Sequence, residues 1–227
     1  MAVSDSKVSL NTVSRPTLER LPGYLSHLKA CREKGLSNIS ATSMAESLKL
    51  NHVQVRKDLS SISSGGRPRT GYVIEELIED INCFLGYDKV NEAVLVGAGQ
   101  LGRALFSYSG FAEYGLEIVA AFDIDKEKIG GEIKGKPVFP LEKLGDLCRR
   151  RNIHIGIITV PMDQAQQVSD LLVDSGILAI WNFAPTHLQV PERIILQSEN
   201  MAASLALLSK RLNEKLHAAA TRPDAPK

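Results

Sequence analysis

The stretch Val94-Leu95-Val96-Gly97-Ala98-Gly99-Gln100-Leu101-Gly102 constrains this chain more than any other. An apolar run that suits a buried parallel strand ends at Gly97, and a helix is expected from Leu101 to about Ser109. Between them the glycines stand at G-x-G-x-x-G spacing. In a dinucleotide-binding turn each has a mechanical task. Gly97 allows the sharp turn, Gly99 lets the backbone approach a pyrophosphate, and Gly102 lets the helix pack tightly on the strand. The spacing alone is common, so its context decides. A second apolar run, Ile118-Val119-Ala120-Ala121-Phe122, ends in Asp123. That acid lies about 20–25 residues beyond the glycines, where it can accept from the ribose hydroxyls of adenosine. Strand, glycines, helix, strand and acid in this order predict a nucleotide cleft built from Gly97, Ala98, Gly99, Gln100, Leu101, Gly102 and Asp123.

The sequence around this unit continues to alternate. Short strands are expected at Pro137–Phe139, Ile153–Val160, Leu178–Phe183 and Arg193–Leu196, with helices at Leu141–Arg151 and Gln164–Asp174. Alternation at this length implies a parallel sheet with helices on both faces. Ligands of such sheets bind beyond the carboxyl ends of the strands. Thr159, Val160 and Pro161 after one strand, and Asn182 and Phe183 at the end of another, therefore join the expected cleft. The apolar members would neighbour a nicotinamide, and Asn182 would offer a hydrogen bond.

The N-terminal third reads differently. Leu18, Leu21, Leu25 and Leu28 recur at helical spacing after Pro16, with an irregular first turn expected at Pro22-Gly23 and an end at Gly35. Ser40 or Thr42 can cap a short helix with Met44, Ala45 and Leu48 on its apolar face. A tight turn leads to a third helix, His52 to about Ile62, with Val53, Val55, Leu59 and Ile62 as apolar positions. This is a helix-turn-helix pattern. Its third helix would present His52, Gln54, Arg56 and Lys57 to DNA, Gln suiting adenine, Arg guanine and Lys phosphate. Arg67 and Arg69, on the Gly/Pro-bracketed loop before Tyr72-Val73, resemble the wing of a winged helix that enters a minor groove or holds phosphates. Charge supports the division. Residues 1–72 carry 11 Lys/Arg against 5 Asp/Glu, and the remainder 16 against 21, within a net charge of only +1.

A linking helix is expected from Glu75 to Leu85, closed by Gly86, and an amphipathic final helix from Asn200 to about Leu216. The expected organisation is a disordered tail at 1–14, a winged-helix domain at 15–88, a Rossmann domain at 89–199, a C-terminal helix at 200–217 and a second disordered tail at 218–227. Cys31, Cys83 and Cys148 are scattered, which argues against a metal or disulfide framework. No apolar stretch reaches membrane-spanning length, and a cytoplasmic setting is expected. Of the five histidines, only His187 falls near the expected cleft, without an orienting carboxylate, so no catalytic residue is assigned.

These motifs together resemble the Rex family of redox-sensing transcriptional repressors. The resemblance runs from Pro16 to Leu212. It rests on Gln54-Val55-Arg56-Lys57-Asp58-Leu59, Gly71-Tyr72, Gly97 to Gly102, Tyr108-Ser109-Gly110-Phe111, Ala120-Ala121-Phe122-Asp123 and Asn182-Phe183-Ala184-Pro185. It implies a homodimer with a winged-helix domain, a Rossmann domain and a last helix exchanged between subunits. It implies a repressor that NADH releases from operator DNA while NAD⁺ permits binding. Tyr108 would lie near the nicotinamide, and Asp123 would favour NAD(H) over a 2′-phosphorylated cofactor. The chain departs from the family pattern at Ser60-Ser61-Ile62-Ser63-Ser64 and at Gly66-Arg67-Pro68-Arg69. It also has Ser26 and Asn200 where some relatives pair an Arg with an Asp. Two other readings stay open at this level. One is an NAD-dependent dehydrogenase with a basic N-terminal domain; the other is a DNA-binding regulator of a different nucleotide, such as a CoA derivative.

Overall fold

A computed structural model describes residues 13–220. The expected tails at 1–14 and 218–227 lie outside the described residues except at their inner ends. There Ser14 accepts the Thr17 amide as the cap of the first helix, and the last helix continues to Ala220. The chain divides into two units, Met1–Lys89 and Val90–Lys227.

The first unit is three helices and a small sheet closed by a fourth helix. These are α1 (Arg15–Glu33), β1 (Asn38–Ile39), α2 (Ala41–Leu48), α3 (His52–Ile62), β2 (Tyr72–Val73) and α4 (Ile74–Leu85). α1 runs unbroken through Pro22. The bond that Pro22 forfeits is outweighed by the stripe Leu21, Tyr24, Leu25 and Leu28, which is fully buried. Ser40 caps α2, accepting the Ser43 amide at 3.0 Å, and Asn51 caps α3 by accepting from Val53 and Gln54. β1 and β2 pair antiparallel. The segment before β2 folds into a hairpin tip in which Arg67 and Gly71 exchange backbone hydrogen bonds of 2.8 and 2.9 Å. Gly71 has φ +77°, and a Cβ there would lie 2.3 Å from the Ile39 carbonyl oxygen, so only glycine fits this crossing.

Two expected core positions are not core. Leu18 is exposed and Val53 is 62% exposed. The interface between α1 and α3 is completed instead by Thr17 and Asp58, polar residues that bury because they bond to each other.

The second unit is a seven-stranded sheet in the order β5-β6-β4-β3-β7-β8-β9. Its strands are β3 (Asn91–Val96), β4 (Leu116–Asp123), β5 (Glu132–Ile133), β6 (Lys136–Pro140), β7 (Ile155–Ile158), β8 (Ala179–Asn182) and β9 (Ile195–Ser198). All pairs are parallel except the β5–β6 edge hairpin. Its two-residue turn, Lys134-Gly135, has positive φ at both positions, the geometry of a type I′ hairpin. Lys is not a usual marker of that turn, which is why β5 escapes a sequence reading. α5 (Gln100–Ser107) packs on one face of the sheet; α6 (Leu144–Arg151) and α7 (Met162–Asp174) pack on the other. α5 ends earlier than expected, and Ser109–Tyr114 forms a 3-10 turn. From β3 the chain builds outward to β4 and β6, then crosses back to β7, β8 and β9. The order reverses beside β3, and the carboxyl ends of β3 and β7 open a crevice there.

The last helix, α8 (Met201–Ala220), is exposed along residues 201–217. Met201, Leu205, Leu208, Leu212 and Leu216 form an uncovered apolar stripe along it.

Candidate functional site

The crevice at the strand reversal is a cleft of about 580 Å³, within the usual size of a small-molecule site. Gly97, Gly99, Leu101, Asp123, Thr159, Val160, Pro161 and Phe183 all line it. Gly97 turns the chain with φ +105°, and a Cβ there would lie 2.8 Å from the Thr159 backbone. Gly102 is buried behind it. A Cβ at Gly102 would fall 1.9 Å from the Gly97 carbonyl oxygen, so α5 can lie this close to β3 only without a side chain. Gly99 differs, since nothing lies within 4 Å of where its Cβ would stand. It is the N-cap of α5 and supplies no side chain to the first amides of the helix. Orphan N–H groups beside open space form a seat for an anion. Gln100 is exposed on the first turn of α5 and is not part of the cleft wall.

Asp123 is 8% exposed at the end of β4. Its Oδ2 accepts the Ala98 amide at 2.8 Å and the Lys128 ammonium at 3.2 Å, and its Oδ1 accepts the Asp125 amide at 2.9 Å. A carboxylate offers about four acceptor positions, so one remains on Oδ1. Burial pushes this carboxyl upward, but the Asp125 and Ala98 amides and Lys128 outweigh it, and the group titrates below the ordinary aspartate range. Asp123 thus ties the glycine turn to β4 and still faces the cleft as an anion. The residues present fit the adenosine half of a dinucleotide.

Three expected contributors are placed elsewhere or engaged otherwise. Asn182 is fully buried; its amide donates to the Ala184 and Thr186 carbonyls and its Oδ1 accepts the Ala184 amide. It shapes the loop after β8 and has no face on the cleft. Thr159 lines the cleft, but its hydroxyl donates to the Val96 and Gly97 carbonyls. Tyr108 opens onto a different cavity of about 440 Å³, with Phe106, Phe111 and Ile118. An aromatic series joins the two cavities. Tyr108 meets Phe111 edge-on at 5.0 Å, Phe111 meets Trp181 at 5.6 Å, and Trp181 meets Phe183 at 4.8 Å between ring centroids. Trp181 also donates from Nε1 to Glu199 at 2.9 Å, just before α8. His187 is exposed, with Nδ1 3.0 Å from the Leu188 carbonyl, and does not line the cleft.

Lys128, Ile124 and Asp125 after β4, and Met201 at the start of α8, also line the cleft and are absent from the sequence-based assignment. The charged turn after Asp123 was a usable signal for Lys128; nothing in the sequence marks Met201.

In the first unit, Asp58 is 2% exposed and organises the helix-turn-helix. Its carboxylate accepts from Arg20 Nε at 2.7 Å and Nη2 at 2.9 Å, from Tyr24 at 2.8 Å, from Gln54 at 2.8 Å and from Thr17 at 3.1 Å. Burial pushes the Asp58 carboxyl upward, and these donors, Arg20 foremost, bring it below the usual range. The Arg20 guanidinium is held above its ordinary value by Asp58, and burial pushes the Tyr24 phenol up to about 12. α3 is therefore locked to α1 from beneath. Gln54 is half recruited to that lock, since one of its two amide protons goes to Asp58. His52, Arg56 and Lys57 on α3, and Arg67 and Arg69 on the hairpin tip, are exposed, and among the described residues none of the four arginines and lysines has an ion-pair partner. Arg69 sits at φ +68° at the tip of the hairpin.

The comparisons with known proteins follow the same division. A family model described as "Putative DNA-binding protein N-terminus" matches residues 12–60, and one described as "CoA binding domain" matches residues 88–186. The redox-sensing transcriptional repressor Rex of Bacteroides thetaiotaomicron is 39% identical, covering 91% of this chain and 94% of its own length. That of Treponema denticola is 43% identical, covering 88% and 95%. This chain belongs to the Rex family. A solved structure described as "Crystal structure of RSP, a Rex-family repressor" superposes with a TM-score of 0.80 at 35% identity, covering 89% of this chain and 95% of that one. RSP in complex with beta-NAD⁺ and operator DNA superposes with a TM-score of 0.86 at 35% identity, covering 92% and 96%. RSP in complex with beta-NADH gives 0.83 at 34% identity, covering 93% and 99%. The winged helix followed by a Rossmann-type sheet is thus the fold of this family as well as the fold described above. Relatives named as repressors across nearly the whole chain make it a regulator, and the dehydrogenase reading is not favoured.

Proposed function

We propose that this Rex-family chain is a transcriptional repressor that binds operator DNA and is released from it when NADH occupies the cleft beside Asp123. The single observation that carries the reading is the pairing, in one chain, of an unpaired basic face on a helix-turn-helix with an anion seat and a ribose-facing carboxylate. RSP, similar over nearly the whole chain, is described in complex with NAD⁺ and operator DNA and with NADH.

Gly97, Gly99, the first amides of α5, Leu101 and Asp123 hold the dinucleotide, with Val160, Pro161 and Phe183 as apolar neighbours of the nicotinamide and Thr159 and Asn182 shaping the loops around it. Bound NADH supplies no chemistry here; its reduced ring is the signal. Asp123 selects a ribose with free hydroxyls, because a carboxylate repels a 2′-phosphate. Gln54, Arg56 and Lys57 address the major groove, and Arg67 and Arg69 an adjacent minor groove or phosphates. The uncovered stripe of α8 supports a homodimer in which that helix packs on the second copy, so that two recognition helices address a two-fold-symmetric site. Such a repressor works in the cytoplasm; among the described residues no helix is long and apolar enough to cross a membrane. Release requires NADH to favour one arrangement of the dimer over another, and a 10²-fold preference corresponds to about 2.7 kcal/mol.

The test is operator binding by fluorescence anisotropy at fixed salt on a two-fold-symmetric AT-rich duplex, titrated separately with NADH, NAD⁺ and NADPH. Release by NADH at concentrations where NAD⁺ leaves the complex intact supports the reading. DNA affinity indifferent to all three overturns it. Trp181 is the one tryptophan of the chain and lies against Phe183, so energy transfer from it to the dihydronicotinamide reports cofactor binding independently of DNA.

A further inference from the structure

Val53 has no structural reason to be where it is. It is 62% exposed in the first turn of α3, on a helix whose other apolar residues are covered. It is the second helical residue after the Asn51 cap, not the fourth, where a hydrophobic staple would form. Successive helical residues turn by about 100°, which fixes its place on the face. Lys57 lies about 40° to one side of Val53, Ser60 about 20° to the other, and Arg56 about 60° away. The buried residues Val55 and Leu59 lie on the opposite side. Val53 therefore stands on the centre line of the outward face, among the basic residues. Gln54 is set about 100° round, on the flank, where Asp58 holds it.

Residues in the first turn of a recognition helix reach base edges, and the one apolar feature of the major-groove edge is the 5-methyl group of thymine. We infer that Val53 reads a thymine methyl in each operator half-site, and that this contact, flanked by Arg56 and Lys57, sets part of the sequence preference. The inference rests on the operator-binding reading above and adds one residue and one base atom to it. Burying a methyl against Val53 gains about 0.8 kcal/mol, or about fourfold in affinity per half-site. When both half-sites are altered the factors multiply to about fifteenfold.

The experiment uses the full chain. Duplexes are selected from a random pool in the presence of NAD⁺, and each thymine of the enriched half-site is then replaced singly by deoxyuridine, which lacks only the methyl. The wild type is expected to lose about fourfold at one thymine position per half-site and little at the others. Val53→Ala, which removes the side chain from both half-sites, is expected to bind the unmodified duplex about fifteenfold more weakly, to be insensitive to deoxyuridine at that position, and to keep its melting temperature. Wild-type affinity unmoved by every replacement, or Val53→Ala retaining the wild-type sensitivity, overturns the assignment while leaving the operator reading intact. A pool that yields no enriched sequence overturns both.

Discussion

Two buried aspartates, one in each unit, show how the same side chain serves different ends. Asp58 and Asp123 both sit at the end of a series of donors, and both titrate below the ordinary range because those donors outweigh burial. Asp58 receives five hydrogen bonds from four side chains and has no open face. Asp123 receives two backbone amides and one lysine, and still lines a cleft. The first is a rivet, and its value lies in the rigidity of the helix it holds. The second is a rivet with one acceptor left over. What separates them is not burial or acidity but whether the last lone pair meets protein or open space.

The largest effect should come from Asp58→Asn. It leaves the Arg20 guanidinium beside a neutral amide and strips the lock between α1 and α3. Breaking a buried pair on one side costs about 3 kcal/mol or more. Thermal unfolding is expected to show an early transition of the winged-helix unit, with operator binding lost. NADH binding, followed through Trp181 energy transfer, should survive. Loss of both activities together would mean that the units do not fold independently.

Next in size is a pair of substitutions in the glycine turn. Gly102→Ala drives a Cβ into the Gly97 carbonyl oxygen, 1.9 Å away; the Rossmann unit should lose about 2–3 kcal/mol, the scale of overpacking in a tight contact. Gly99→Ala meets nothing within 4 Å and should change stability by less than about 1 kcal/mol. Its methyl occupies the space expected for the pyrophosphate, so NADH affinity should fall about tenfold or more. Denaturation and cofactor titration of both variants separate packing glycine from binding glycine. A Gly99→Ala protein with wild-type NADH affinity would remove the anion seat from the assignment.

The first unit responds to pH at both ends of the scale. Asp58, held below the ordinary range, stabilises its unit above the unfolded aspartate value of about 4 and loses that contribution as pH falls through the folded value. Tyr24, bonded to the same carboxylate, works at the other end. Its phenol ionises at about 12 in the fold against about 10 unfolded. Its contribution is fully present below pH 10 and disappears as pH climbs through 12. Tyr24→Phe should remove the hydrogen bond to Asp58, costing about 1 kcal/mol at neutral pH, and flatten that alkaline loss. Melting curves by circular dichroism from pH 7 to 11 check this.

Much of this was legible in the sequence, and the exceptions have physical causes. The strand-glycine-helix turn and the acid of β4 are legible because backbone geometry demands particular residues there. The helix-turn-helix is legible because its caps, Ser40 and Asn51, and its apolar spacing are local. Asp58 was visible only as part of a motif. Its partners Thr17, Arg20 and Tyr24 lie 34 to 41 residues away, and no local pattern announces a contact at that distance. Val53 misled because periodicity cannot tell an apolar residue that faces a core from one turned outward. Asn182 misled for the opposite reason: a polar residue at a strand end suits a ligand and suits its own loop equally well, and here the loop has it.

The smallest predicted effect tests the acceptor that Asp123 keeps. Lys128 stands 3.2 Å from Asp123 and 3.3 Å from Asp125, partly exposed. It offsets the negative charge that should turn away a 2′-phosphate. Lys128→Ala uncovers two carboxylates at the end of the cleft proposed for the ribose. NADH, with both hydroxyls free, should bind nearly as before, while NADPH should weaken. A solvent-screened ion pair contributes roughly 0.2–1 kcal/mol, so the preference for NADH should sharpen by up to about fivefold at low salt and less as salt rises. Calorimetric titration of both cofactors checks it. If NADPH binding improves instead, Lys128 offsets no repulsion on a 2′-phosphate and Asp123 does not face the ribose. No comparable adjustment exists at Asp58, whose counter-ion cannot be removed without opening the helix pair it fastens. The cleft can be retuned one charge at a time because its carboxylate was left incomplete by the fold.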